Sequence, residues 1–502
     1  MGYLLYFSAE TWTLLAALVT LILVYGSWSY GVFKQMGVPG PKPLLFLGTW
    51  MEYRKALVNF DYECFKKYGK IWGIFDGRQP VLCVTDPAMI KSILVKEGYL
   101  LFTNRRVSIV YNFHVNGGMY DAVNFAEDEQ WKRIRSVLSP FFTTGKLKEM
   151  FDIIKQNSAK LITNMQKTAD KDESLDLKEF FGCFSMDAIM STGFSVDIGS
   201  LNNPSDPFVS NVKELARFDF FSPLFLFQVF FPFMIPLYDK MELAYFPSSV
   251  TDFFYTVLQK IKNDRKSSKQ ANRVDSLQLM MDSQKNSTVE KNKGLSDHEL
   301  LSQALFMIFA AYETNSSSLT FLAYILARNP HVMKKLQEEI DSTFPNKAPV
   351  EYQALMQMEY LDSVINESLR LYPIVLRVER VAKATVEING LEIPKGMVIT
   401  VPTWTLHRDP DSWPKPEEFI PERFSKENKQ NIDPYTYLPF GEGPRKCIGM
   451  RFALMSMKLV AVEILQRFSF SVCEETEIPL EMDNQILLMP KQPVKLKLEK
   501  RS

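Results

Sequence analysis

From Thr11 to Phe33 the chain carries no charged side chain, and residues 12–25 read WTLLAALVTLILVY. Such a stretch must leave water, either into a protein core or into a bilayer, and its length suits a helix crossing the ~30 Å hydrocarbon layer. It exceeds the apolar segment of a cleaved leader and lacks a basic start, so residues 1–33 are expected to form a transmembrane anchor. Lys34, Lys42, Arg54 and Lys55 follow it while Glu10 alone precedes it, which places the bulk of the chain on the cytosolic side. The sequons at Asn286, Asn315 and Asn366 should therefore stay unglycosylated.

Val38-Pro-Gly-Pro-Lys-Pro43 cannot continue a helix, because each proline lacks a donor and restricts its predecessor. Residues 34–49 are read as a stiff hinge separating the anchor from one large domain, 50–502, in which no Gly/Ser linker or charge block marks a second boundary. Lys plus Arg and Asp plus Glu both number 58, a balance that argues against nucleic acid as a partner. The five cysteines are odd in number and scattered without a C-x-x-C, as in a reducing compartment.

Residues 71–75 and 81–85 flank Asp76-Gly77 as a hairpin, Asp86-Pro87 opens a helix, and helical patterns then dominate. Ser296 and Glu299 form a capping box at the start of a pattern that runs to Arg328 and stops at Asn329-Pro330. That helix would be roughly 50 Å long. Alternation between 375 and 401, with a turn at Asn389-Gly390, suggests a small sheet. Residues 262–294 read as a solvated connection. Eight phenylalanines and two prolines in residues 218–233 suggest either core or a membrane-dipping patch. The fold class is mainly α with small β-sheets.

The chemistry concentrates in residues 440–449, FGEGPRKCIG. Cys447 precedes a helical pattern whose N-terminal N–H groups and dipole favour a thiolate. Gly443 and Gly449 flank it where a flat cofactor could lie on the backbone, and Arg445 could fork onto a cofactor carboxylate. Trp131 and Arg135 share one face of a helix with an acidic start. Glu313 and Thr314 interrupt an apolar helix, and Glu367 with Arg370 could be no more than an ordinary helical pair.

Phe440, Gly443, Arg445, Cys447 and Gly449 fill every fixed position of F-x-x-G-x-R-x-C-x-G. This decade resembles the haem-binding signature of the cytochromes P-450. Together with Trp131/Arg135, Glu313-Thr314, Glu367/Arg370 and the Pro421-Glu-Arg-Phe424 run, it makes the chain similar over nearly its whole length to mammalian family 3, subfamily A enzymes, which oxidise drugs and steroids. The resemblance implies a P-450 fold, with Cys447 as the axial ligand of haem b iron and a thiolate push that assists O–O cleavage. It implies Phe440, Gly449, Trp131, Arg135, Arg380, Arg105 and Arg445 about the haem, and Glu313 with Thr314 in proton delivery. Glu367, Arg370 and Arg423 would form a buried network, and Phe220, Phe309, Val375 and Leu487 a substrate pocket.

The implied reaction is monooxygenation of lipophilic molecules at the endoplasmic reticulum membrane. No G-x-G-x-x-G follows a strand, so NADPH should act through a separate reductase, with cytochrome b5 as a further candidate partner. A basic patch of Lys446, Arg451, Lys458, Lys132 and Arg133 would receive it. Ala310-Ala311-Tyr312-Glu313-Thr314-Asn315 departs from the family pattern in lacking a glycine and a second threonine. The segment 107–124 departs as well, replacing a proline-containing stretch. Two rival readings are a haem-thiolate isomerase or dehydratase, and a non-catalytic haem-binding protein.

Overall fold

The apolar stretch forms the helix Ala9–Ser27, capped by the Ser8 hydroxyl, which accepts from the Thr11 N–H. Almost all its side chains face outward, as a bilayer span requires. Continued by a 3-10 turn at Trp28–Gly31, the segment Ala9–Gln35 is, among the described residues, the one long and apolar enough to cross a membrane. The computed structural model describes residues 8–501 except 107–118, 204, 217–220, 232–233, 235–236, 238–239, 242–247, 268–274, 287–293 and 484.

The proline arm does not swing free. Its Pro39 carbonyl accepts from the Gly73 N–H at 2.8 Å, and Gly48 bridges to Asp76, so the arm lies along a sheet edge. Contact begins before the prolines. Ser29 Oγ donates to the Arg78 carbonyl at 2.7 Å, Tyr30 OH donates to the Leu44 carbonyl at 2.8 Å, and the Phe33 ring packs edge-on against Phe75. The hinge expected to separate anchor from domain is therefore a joint. Proline stiffens it, and Gly40, lacking a side chain, lets its backbone meet that of Gly73, while Gly73 leaves room for the Phe33 ring.

Strands Ile71–Asp76 and Gln79–Val84 form the expected hairpin around Gly77, whose φ of +60° suits glycine. Val398–Pro402 pairs parallel to the second strand, and Arg377–Val381 closes the sheet antiparallel to it. Two strands from the last third of the chain thus extend the N-terminal hairpin on the side of its second strand. Asn389 and Gly390, both at positive φ, turn Val386–Ile388 into Leu391–Ile393.

The long helix is Asp297–Arg328, with both halves of the capping box formed and an end at Asn329. It packs on Leu177–Phe194, Ser248–Ser267, Glu359–Leu371 and Met450–Leu465. Its polar middle is interior. Asn315 Nδ2 reaches Ser185 Oγ at 3.1 Å and Ser456 Oγ at 3.2 Å, so one amide ties three helices together. Ser316, Ser318 and Thr320 return their hydroxyls to carbonyls four residues back, which is how a hydroxyl is satisfied inside a helix bundle.

The connection expected to be solvated is partly core. Ser276–Asn286 is a helix with Leu277 and Met280 fully buried, and the buried Lys262 pairs with Asp297 at 2.7 Å. The Leu277/Met280/Met281 spacing was the signal beneath the polar composition. In the phenylalanine-rich segment, the helix Pro223–Phe230 answers both alternatives: Phe225 is buried against Trp50, and Phe227 is 45% exposed beside Phe231.

Candidate functional site

The loop before helix Met450–Leu465 is held at both ends. The Cys447 N–H donates to the Phe440 carbonyl at 2.9 Å and the Lys446 N–H to the Gly443 carbonyl at 3.0 Å, folding residues 440–447 into a tight platform. Gly443, at φ +76°, lies so near the Leu94 carbonyl that a Cβ would stand 1.8 Å from it. Its role is this close approach, and the expectation that it makes room for a cofactor is corrected. A Cβ on Gly449 would meet nothing closer than Phe142 at 3.8 Å, so that glycine does leave space beside the sulfur.

Cys447 is open to the floor of a cavity of about 1210 Å³. Burial pushes its thiol up, against the pull of the Gly449 and Met450 N–H groups and of the Arg135 and Arg105 guanidiniums. The helix end by itself does not produce the thiolate expected from the sequence. A coordinated cation would, because a metal-bound thiol loses its proton. Among the described residues no group of three His, Cys, Asp or Glu side chains could hold a metal, so a metal at Cys447 must bring its remaining ligands with it.

A haem fits that requirement, and the cavity supplies its counter-charges. Arg105, Arg135 and Arg380 line the cavity with no ion-pair partner among the described residues. Arg380, 1% exposed on its strand, donates to the Glu379 carbonyl at 2.7 Å and leaves Nε without a partner. Burial, then Arg105 and Arg445, hold its pKa well below the ordinary guanidinium value. Concentrated positive charge at the edge of an apolar cavity is a place for carboxylates, and haem carries two. By contrast, Arg106 on the same wall is already satisfied by Asp76 and Glu379, each at 2.5 Å.

Arg445 corrects a further expectation. Its Nε, Nη1 and Nη2 donate to the carbonyls of Thr103, Val123 and Ala126 at 2.9, 3.1 and 2.7 Å, and it lies 4.2 Å from the centre of the Trp131 ring. Instead of forking onto a carboxylate it ties Thr103, Val123 and Ala126 to the cysteine loop. Trp131 and Arg135 both line the cavity from the helix Asp128–Leu138, as their shared face suggested, and Phe440 lines it as well.

Glu313 and Thr314 point different ways. The Thr314 hydroxyl donates to the Ala310 carbonyl at 2.7 Å and, with Ala311, borders the cavity. Glu313 is buried on the far side, receiving Lys178 Nζ at 2.5 Å and Ser317 Oγ at 3.2 Å. Lys178 was not singled out in the sequence, because nothing local marks a lysine 135 residues away as the partner of a mid-helix acid. Phe309, Val375 and Leu487 line the cavity, the last two joined by a β-bridge; Phe220 and residues 107–118 lie outside the described residues.

Behind the cysteine loop, Glu367 and Arg370 are fully buried and form a two-point fork, 2.8 Å on each arm. Arg370 also donates to the carbonyls of His407, Pro416 and Glu418, and Arg423 Nε reaches Glu367 at 3.3 Å. His407, missed in the sequence, completes the link. Its Nδ1 meets the Arg370 carbonyl at 3.1 Å while its Nε2 accepts the Leu438 N–H at 2.9 Å, the tautomer following from those partners. Burial, then Arg370, lowers its pKa to about 3, so it bridges as a neutral ring.

The basic patch is smaller than expected. Lys458 is 3% exposed and pairs with Asp362 at 2.7 Å, and Arg133 is engaged by Glu299 and the Gly294 carbonyl. Lys132, Lys446 and the exposed Arg451 remain on that face, the first two sharing it with Glu129 and Glu442.

The chain matches the family model for cytochrome P-450 over residues 38–498. It is 67% identical to cytochrome P-450 3A56 of Fundulus heteroclitus over 502 residues, covering all of both chains. It is 66% identical to cytochrome P-450 3A27 of Oncorhynchus mykiss, with all of this chain and 96% of the relative covered. To cytochrome P-450 3A29 of Sus scrofa it is 55% identical, with 98% and 97% covered.

Proposed function

The chain belongs to the cytochrome P-450 family, and on that premise we propose that this monooxygenase transfers one oxygen atom of O2 to bulky lipophilic molecules such as steroids and xenobiotics. Electrons would come from NADPH through a separate reductase, with cytochrome b5 as an auxiliary donor, at the cytosolic face of the endoplasmic reticulum. The observation that carries this reading is Cys447 on the floor of a large cavity, beside guanidiniums that have no ion-pair partner among the described residues.

A haem held there by the Cys447 thiolate would supply the activation of O2. The chain's own groups do the rest. Cys447 would hold the iron, and Arg105, Arg135 and Arg380 would hold the two carboxylates. Phe309, Val375 and Leu487 present apolar walls that exclude water from a lipophilic substrate. Thr314 borders the cavity with its hydroxyl bonded to the Ala310 carbonyl; turned from that carbonyl, the hydroxyl could hand its proton to an acceptor in the cavity while taking one from a water, and end unchanged. Glu313, fixed to Lys178 on the far side of the helix, would hold that helix in place and not carry protons. Lys132, Lys446 and Arg451 offer an acidic partner a docking face near Cys447.

A haem-thiolate isomerase would use the same sulfur and cavity but would not need a hydroxyl poised for protons, so Thr314 favours oxygen transfer. Reduced protein treated with carbon monoxide should show the red-shifted band of a thiolate-ligated haem, and Cys447→Ser should abolish it. Product from a steroid panel should require reductase, NADPH and O2 together; rearranged product formed without any of the three would overturn the reading.

A further inference from the structure

At the joint between anchor and domain, Arg78 has no ion-pair partner among the described residues. Arg78 sits at the tip of the first hairpin, its guanidinium carbon 3.5 Å from the centre of the Tyr25 ring, near the end of the anchor helix. Its backbone carbonyl is tied to Ser29, but no acceptor among the described residues takes a hydrogen bond from its side chain, and Nε is buried without a partner. Stacking on a ring face leaves the in-plane N–H donors of a guanidinium directed outward.

Those donors face the outer reach of the cavity, where Trp28, Val32 and Gln35 of the anchor segment form one wall. Gln79 and Lys395 form the other, kept together by the Gln79 Nε2 bond to the Gly396 carbonyl at 3.5 Å. Lys395 is exposed and has no ion pair among the described residues. Trp28, 78% exposed, offers an apolar surface beside these two cations.

The anchor fixes the depth of this crevice. Nineteen residues of helix, Ala9–Ser27, extend about 28 Å, close to the ~30 Å of a hydrocarbon layer. Tyr25, Trp28 and Tyr30 then fall at the interface where such rings collect, and Arg78 lies among the headgroups. A positive crevice at that level, with an apolar wall descending from it, matches one ligand chemistry.

We propose that this crevice binds an anionic phospholipid, its phosphate held by the Arg78 fork with Lys395 adding charge and its acyl chains running along Trp28 and Val32. The lipid would then stand at the mouth of the substrate cavity and help to fix the tilt of the domain. The proposal rests on the anchor spanning a bilayer, which alkaline carbonate extraction of the same samples tests by itself.

The full-length protein is placed in nanodiscs of phosphatidylcholine with one-fifth phosphatidylglycerol, and the lipids retained on release are counted by native mass spectrometry. Wild type should retain phosphatidylglycerol above its share in the disc. Arg78→Gln should cut that excess about fivefold, the effect of one cation near an anionic surface. Arg78→Lys should keep part of it, and Arg54→Gln and Tyr25→Leu should keep most of it. Equal retention by wild type and Arg78→Gln, or no preference for phosphatidylglycerol, would overturn the proposal. So would loss of the excess on adding millimolar inorganic phosphate, which would assign the crevice to a free anion.

Discussion

Phe33 lies against Gly73 so closely that a Cβ built on the glycine would stand 2.3 Å from the ring. The last turns of the anchor are therefore part of the domain's own packing. Deleting residues 1–24 should leave the thermal midpoint of the detergent-solubilised protein nearly unchanged, whereas deleting 1–33 should lower it. In the full chain Phe33→Ala should cost about 3–5 kcal/mol in denaturant titration, the usual loss for a buried phenylalanine. Equal midpoints for the two deletions would restore a free hinge.

The Glu367–Arg370 fork has no exposure to water, so removing one partner strands a buried charge. Arg370→Ala should destabilise by about 3–5 kcal/mol and yield little protein with a thiolate-type carbon monoxide band. Arg370→Lys, which keeps the charge but cannot fork, should fall between. Wild-type haem content in Arg370→Ala would reduce the pair to an ordinary helical one.

Thr314 borders the cavity and Glu313 does not, which separates their mutants. Thr314→Ala should keep the carbon monoxide band yet lower the ratio of product to NADPH consumed several-fold, with peroxide rising. Glu313→Gln should affect stability first, because the half-buried Lys178 then loses its counter-charge to a neutral amide. Ala311→Gly, by removing a methyl next to Thr314, should raise the ratio. Unchanged coupling in Thr314→Ala would remove its role and favour the isomerase.

Burial alone would push the Glu299 carboxyl up, but the Arg133 fork, the Ser296 N–H and Gln130 outweigh it and hold the pKa at about 2. Because the folded value lies below that of the unfolded chain, near 4.3, the resulting stability is fully present above the unfolded value and lost as pH falls toward 2. Arg133→Ala should lower stability at pH 7 and move acid unfolding to higher pH. The two proteins should converge below about pH 2, followed by circular dichroism.

What the sequence revealed was local. The capping box and the Asn389-Gly390 turn are each set within ten residues, and each formed as expected; the run around Cys447 is as local, but Gly443 and Arg445 within it serve a close backbone approach and backbone carbonyls. Roles that depend on distant apposition did not show. The partners of Arg445 were not legible, because the carbonyls of Thr103, Val123 and Ala126 reach it only through the fold. Lys458 looked like surface, since a long lysine can extend from an otherwise apolar helix face to a carboxylate such as Asp362. His407, one of four histidines, became legible only when Arg370 and Leu438 were seen on either side of it.

The three guanidiniums around the cavity bear on how much of this protein a cell can keep. Arg105 repels both Arg135 and Arg380, which takes stability away from the folded chain by itself. A ligand with two carboxylates that binds only the folded state draws the population toward it by mass action. Abundance should therefore track haem supply: where haem is scarce, newly made chains would spend longer open and be cleared by the cell's proteases before they ever meet a substrate.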